Sequence, residues 1–185
     1  MKSLVNSTLK PLDKKQGYEF SLKLREKLKK VKLLLLDVDG VMTDGKLFYI
    51  EKQGFTRTYN IYDGYGIKLI QKLGIPVGIM SGGKSKDLKE RIKMLGIEHA
   101  IIGSEDKLDS LEKLVKKTKI AYENICFVAD DLFDIPALEK VGLAITVPDA
   151  MEEVKEIVHH ITTRRGGEGA VREVIDAIRR VQNLK

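Results

Sequence analysis

The acidic pair Asp37 and Asp39, split by Val38 and followed by Gly40, comes directly after an unbroken run of leucines. Ser81, Gly82 and Gly83 end a second apolar run, Lys107 opens a helical stretch, and Asp130 and Asp131 end a third run with Asp134 one turn on. Carboxylates gathered in one place repel one another, burial worsens the repulsion, and a bound cation relieves it. Oxygen ligands of this kind suit Mg²⁺, which is held by one or two carboxylates, waters and a phosphate. In such a site one carboxylate can attack phosphorus in line to form an aspartyl phosphate. A lysine and a serine hydroxyl can hold the oxygens of the transferring group. A second carboxylic acid two residues on can protonate the leaving alcohol and later deprotonate water. Asp also starts turns and helices for purely structural reasons, so the ordered combination, and no single residue, points to phosphoryl transfer.

These groups need a frame that brings them to one rim. Apolar runs at 33–38, 75–80, 100–102, 125–129 and 144–147 read as strands, and amphipathic stretches at 66–73, 84–95, 107–117 and 135–141 read as helices. That alternation predicts βαβ units and an α/β fold with a doubly wound, mostly parallel sheet. Ligands of such sheets bind outside the carboxyl ends of the strands, where these acids, Ser81 and Lys107 fall. Gly74, Gly96 and Gly142 stand where helices are expected to stop. Residues 46–61, rich in β-branched and aromatic side chains around Gln53-Gly54, predict a projecting β-hairpin that packs on the body or pairs between subunits. A last helix is expected over 170–181, after the glycine-rich stretch 164–169.

The 185 residues suit one core, and 43% hydrophobic with 32% charged residues excludes disordered and low-complexity classes. The net charge of +6 is localised: residues 1–32 hold ten Lys/Arg against three Asp/Glu, whereas the remainder holds 23 against 24. The expected organisation is a basic, partly helical arm at 1–31 and a single domain at 32–185, with a C-terminal tail at 164–185. Leu22, Leu24, Leu28 and Val31 give the arm's helix one apolar stripe, and a solvated helix is favoured over a nucleic-acid or membrane contact. No apolar run is long enough to cross a bilayer, no signal-like segment opens the chain, and Cys126 is the only cysteine. A soluble cytoplasmic protein is therefore expected.

The ordered set over residues 32–178 resembles the haloacid dehalogenase-like phosphohydrolases. The resemblance implies Asp37 as nucleophile, Asp39 as general acid/base, Ser81 and Lys107 on the phosphoryl group, and Mg²⁺ held by the Asp37 carboxylate, the Asp39 carbonyl and Asp130. Asp131 and Asp134 would be supporting acids. There is no room for a cap domain before or after Ser81. The stretches 37–45 (DVDGVMTDG), 60–67 (NIYDGYGI) and 166–173 (GGEGAVRE) are similar to the 3-deoxy-D-manno-octulosonate 8-phosphate phosphatases. That likeness implies a sugar acid phosphate of lipopolysaccharide synthesis as substrate and a homotetramer built through the hairpins. It implies substrate contacts from Asp39, Asn60, Ile61, Tyr62, Asp63, Gly64, Lys68, Gly82, Gly83, Arg91 and Lys107. A neighbouring subunit's tail, here Arg165, Gly166, Gly167, Gly169 and Arg172, would close each site.

Many members of that family carry Arg at the positions of Tyr62 and Gly83 and a basic residue at that of Glu168. The cations missing here put the sugar in question, with Lys84 as a candidate substitute that lacks the planar fork of Arg. A nine-carbon sugar acid phosphate, or broad sugar phosphatase activity, stays open, as does a non-catalytic oligomeric relative. A phosphorylatable receiver would order its acids and lysine differently along the chain. Cys126 reads as a packing residue, and His99, His159 and His160 have no ligand spacing.

Overall fold

Four consecutive leucines make β1 (Leu33–Leu36), and all four are buried because helices cover both faces of the strand. The computed structural model describes residues 21–52 and 54–185; residues 1–20, and with them most of the basic arm, lie outside the described residues. Next in the chain come the hairpin strands β2 (Phe48–Ile50) and β3 (Gly54–Thr56), helix α2 (Ile61–Lys72), β4 (Val77–Ser81), α3 (Lys86–Leu95), β5 (His99–Ile102) and α4 (Lys107–Thr118). Then follow β6 (Ile125–Val128), α5 (Ile135–Leu138), β7 (Leu143–Thr146), α6 (Glu152–Ile157), β8 (His160–Ile161) and α7 (Ala170–Val181), while α1 (Leu22–Lys30) precedes β1.

The main sheet has the order β5-β4-β1-β6-β7-β8, with every pair parallel. The chain leaves β1 toward β4 and β5, then returns to β6 on the other side of β1. This reversal opens a crevice beyond the carboxyl ends of β1 and β6, the place where open α/β sheets bind ligands. Side chains alternate across the pleat. Leu34, Leu36, Ile79 and Val128 meet Leu24, Leu28, Ile67, Val171 and Ile175 on one face. Leu33, Leu35, Met80 and Phe127 meet Leu111, Leu114, Leu138 and Val154 on the other.

The helix expected at the end of the arm belongs to this core. Ser21 caps α1 by accepting from Leu24 N, and Leu24, Leu28 and Val31 are buried with α7, so the folded body begins before residue 32. Two glycines end helices as expected: Gly96 caps α3 at φ 66°, and Gly74 follows α2 at φ 92°. Gly142 does not, because α5 ends at Leu138; a Cβ there would lie 2.1 Å from the Glu123 carbonyl oxygen, so close approach is what requires glycine. The hairpin is shorter than expected, since Asn60 and Ile61 start α2 instead of extending β3. It leaves Phe48, Tyr49, Ile50 and Phe55 exposed, with the Tyr49 and Phe55 rings edge to face at 5.4 Å. Among the described residues no helix is long and apolar enough to cross a membrane.

Candidate active site

Asp37 is the first residue past β1, and its backbone N–H donates to Val128 O, so the sheet ladder itself aims the side chain into the crevice. Beyond it the chain turns on Val38, whose carbonyl oxygen accepts from Val41, Met42 and Thr43 N–H groups. Gly40 permits this turn at φ +85°, and its bare Cα lets Asp130 approach: a Cβ would lie 2.0 Å from Asp130 Oδ2. Ser81 ends β4 and accepts from Gly83 N at 3.1 Å. Lys107 is the first residue of α4, after the Asp106 cap, and its ammonium is buried.

Lys107 Nζ donates to Asp37 Oδ1 at 2.6 Å and to Met80 O at 2.9 Å, and lies 2.9 Å from Asp134 Oδ1. The Phe133 ring covers the ammonium with its centroid at 4.9 Å. One oxygen from each of Asp37, Asp130 and Asp134 lies within 4.8 Å of the others. Burial pushes Asp37 above the ordinary carboxylate range, Lys107 offsets part of this, and Asp134 adds to it. Burial and the charges of Asp37, Asp134 and Asp131 push Asp130 up to about 8. Burial raises Asp134 as well, against the pull of Lys107. For Lys107 burial acts downward, but Asp37 and Asp134 outweigh it and hold the ammonium above its usual value. One lysine thus pairs with two buried carboxylates beside a third that is half-buried, and Asp130 Oδ1 is itself buried with no hydrogen-bond partner among the described residues. That excess of oxygen ligands and negative charge fits a divalent cation, and Mg²⁺ is the hard ion that suits it.

The assignment of the acids shifts in detail. Asp134 stands in the cluster itself, while Asp131 serves as a cap, accepting from Leu132 N as Asp134 Oδ2 accepts from Asp131 N. The Asp39 side chain is turned away from the three acids toward Arg57, a residue that sequence reasoning missed. Arg57 Nε donates to Asp39 Oδ1 at 2.5 Å and Nη2 to Asp39 Oδ2 at 3.0 Å. Arg57 also places a cation beside Gly83. A Gly83 Cβ would be 2.7 Å from Arg57 Nη2, whereas the carbons of Lys84 pack over Gly103. No local pattern marks Arg57, since its partner is 18 residues away; the nearest signal is the single arginine on the returning arm of the hairpin.

The positions expected to touch substrate divide into groups. Asp39, Ser81, Gly82, Gly83 and Lys107 stand at the rim. Asn60 caps α2, accepting from Tyr62 and Asp63 N–H groups, and its Nδ2 donates to Gly167 O at 3.1 Å. Asp63 is buried and accepts from Arg172 N at 2.7 Å. Arg91 Nη2 donates to Asn60 O, and the guanidinium lies against bare Gly64 and the Tyr59 ring. These contacts fix the start of α2, while Asp63 Oδ2 and Arg91 Nε are buried without a hydrogen-bond partner among the described residues. Ile61 and Tyr62 are exposed at that same end. Lys68 departs from expectation: it lines a cleft of about 550 Å³ with Gln71, Lys93, Glu98 and His99, at the amino ends of β4 and β5.

The tail makes contacts within its own chain. Gly166 and Gly167 pack on the chain's own first acidic loop, where a Gly166 Cβ would meet Gly40 O at 1.7 Å and Gly167 N donates to Val41 O. Gly169 precedes α7 at φ 101°, against Arg164, and Arg172 pairs with Asp176. Arg165 faces outward, near Asp149. The histidines and Cys126 have packing roles: His159 Nδ1 accepts from Ala144 N, and Cys126 is buried in β6.

Comparison with known proteins follows this geometry. Residues 103–175 match the haloacid dehalogenase-like hydrolase family. The chain is 40% identical over 152 residues to 3-deoxy-D-manno-octulosonate 8-phosphate phosphatase KdsC of Escherichia coli (strain K12), covering 82% of this chain and 81% of that protein. Its fold is similar to the crystal structure of the Yersinia pestis 3-deoxy-D-manno-octulosonate 8-phosphate phosphatase, with a TM-score of 0.88, 34% identity and 95% of both chains covered. It is also similar to the Moraxella catarrhalis phosphatase of that name in complex with magnesium ion, phosphate ion and a KDO molecule, with a TM-score of 0.84, 37% identity and coverage of 87% of this chain and 92% of that one. At 40% identity over 82% of its length, this chain belongs to the 3-deoxy-D-manno-octulosonate 8-phosphate phosphatase family of haloacid dehalogenase-like hydrolases.

Proposed function

We propose that this chain is a Mg²⁺-dependent phosphomonoesterase that converts 3-deoxy-D-manno-octulosonate 8-phosphate to 3-deoxy-D-manno-octulosonate and phosphate. The observation that carries the reading is the buried Asp37–Lys107–Asp134–Asp130 cluster at the mouth of the β1–β6 crevice. When bound by Asp37, Asp130 and the Asp39 carbonyl, with Asp134 beside them, the metal neutralises the charge of carboxylates and phosphoryl group as they meet. Asp37 attacks phosphorus with one carboxylate oxygen. The bond from phosphorus to the sugar oxygen breaks, its electron pair stays on that oxygen, and Asp39 gives it a proton. Asp39 then takes a proton from water as the water oxygen bonds to phosphorus and the Asp37–phosphorus bond breaks. Lys107 and Ser81 steady the oxygens of the transferring group, with the Gly82 and Gly83 backbone beside them. Lys107 also holds Asp37 in line and keeps its charge tolerable in a buried site.

The substrate is supported by the likeness to the Escherichia coli and Moraxella catarrhalis phosphatases. The exposed end of α2 at Ile61 and Tyr62 is the surface a sugar leaving the rim would meet. Since Tyr62 and Gly83 stand where many members carry Arg, a nine-carbon sugar acid phosphate is the second substrate to test. The enzyme works as a cytoplasmic homotetramer in this reading: the exposed Phe48, Tyr49, Ile50 and Phe55 need a cover, and hairpin-to-hairpin packing supplies one. Arg165, exposed and paired only with the exposed Asp149, is the tail side chain placed to reach another subunit's site. The test is phosphate release from a panel of sugar phosphates, with Mg²⁺ or chelator. The octulosonate ester should give the highest kcat/KM, and both chelator and Asp37→Asn should abolish turnover. Hydrolysis that persists in Asp37→Asn would overturn the covalent route.

A further inference from the structure

The Asp39 side chain is 41% exposed, yet a proton donor must hold one geometry to within a fraction of an ångström. Arg57 supplies the restraint. Its side chain is only 6% exposed, and its fork meets both Asp39 oxygens at 2.5 and 3.0 Å. The fork is fixed from behind. Arg57 Nη1 donates to Ser85 Oγ at 2.6 Å and reaches both Asp87 oxygens at 3.4 Å, and Asp87 accepts from Tyr59 Oη at 3.2 Å. Ser85 and Asp87 belong to the first turn of α3, so a rigid element backs the guanidinium. A bidentate pair of this kind fixes a carboxylate's plane as well as its distance. The bare Gly83 makes room, because its missing Cβ is the space into which Arg57 Nη2 projects.

We propose that Arg57 is the positioning residue for Asp39, holding it on the path of the leaving group and tying the hairpin to the reaction centre. This rests on the phosphatase reading above and on Asp39 as its acid. Arg57 acts through Asp39, so its effect follows the need for a proton. An alkyl phosphate such as the octulosonate 8-phosphate expels a poor leaving group and needs one. The p-nitrophenolate of p-nitrophenyl phosphate leaves without one.

The experiment measures kcat/KM, which ends at release of the first product, for both esters with Mg²⁺ in wild type, Arg57→Ala, Arg57→Lys, Ser85→Ala/Asp87→Ala, Asp39→Asn, Asp37→Asn and Arg57→Ala/Asp39→Asn. Arg57→Ala is expected to lose about 10- to 100-fold on the octulosonate ester and under about threefold on the nitrophenyl ester. Arg57→Lys should recover part of the loss, because it restores the charge without the fork. Ser85→Ala/Asp87→Ala removes the contacts that back the fork and should reproduce part of the selective loss with Arg57 still present, which keeps the test valid if Arg57→Ala fails to fold. The double variant should be no worse than Asp39→Asn alone. Equal losses on both esters, no loss on the octulosonate ester, or a further loss on the Asp39→Asn background would overturn the inference. Asp37→Asn separates the two readings: it must abolish both activities, and activity surviving there overturns the phosphatase mechanism itself.

Discussion

Replacing Asp130 by Asn removes one charge from a cluster that has more carboxylates than cations to serve them. Burial and three neighbouring acids raise Asp130 from its ordinary value of 3.8 to about 8. An unfolded chain releases this proton near pH 4, and the folded one retains it to about pH 8, so the unfolded state binds fewer protons in between. Stability of the metal-free protein therefore falls as pH rises through that window and levels off above it. The whole shift corresponds to about 4 kcal/mol at pH 7, and solvent access at the crevice mouth reduces it to about 2–3 kcal/mol. Urea denaturation in chelator at pH 7 should show Asp130→Asn more stable than wild type by that amount, and the gap should close toward pH 4. Mg²⁺ takes the place of the protons, so it should stabilise wild type more at pH 8 than at pH 6 and stabilise Asp130→Asn little at either. Equal stability of the two proteins in chelator across this range would refute the electrostatic account of the site.

Three further outcomes follow from the same contacts. Lys107→Met leaves Asp37 and Asp134 without their shared cation and should destabilise the metal-free protein by about 3 kcal/mol at pH 8 in urea, with the loss shrinking as the carboxylates protonate at lower pH. Gly166→Ala drives a methyl into the Gly40 carbonyl, so the tail must lift from the first acidic loop; a loss of about 2 kcal/mol in thermal denaturation, together with reduced kcat, is expected. Tyr49→Glu with Phe55→Glu places charge on the exposed hairpin face, and sedimentation should show the assembly falling to smaller species while each subunit stays folded.

Much of this arrangement was legible along the chain. The leucines of β1 read as a buried strand because their run is short, unbroken and closed by Asp37, and the bounds of α7 follow its apolar period. Asp37, Ser81, Lys107 and Asp130 each end a strand or open a helix, so the topology alone carries them to one rim. What escaped lacks a local signature. The two residues of β8 and the six of α6 are too short to set up a period. Asp63 and Arg91 have the charges of ligands, and the chain pattern does not show that they also fix the start of α2. Arg57 and Gly83 are complementary only in space, the side chain of one filling the void left by the other. Asp131 is the extended cap of a short helical turn and Asp134 is the turn's buried last residue, a difference that nearby acids in a sequence do not display.

The central claim is that the phosphoryl group passes to Asp37 before it passes to water. The direct measurement is the configuration at phosphorus when the octulosonate ester, made chiral by oxygen isotopes and a sulfur atom in its phosphate, is hydrolysed in isotopically labelled water. Transfer to Asp37 and then to water involves successive in-line displacements and predicts overall retention. Inversion would mean that water attacks the ester directly, and the role of Asp37 would have to be abandoned.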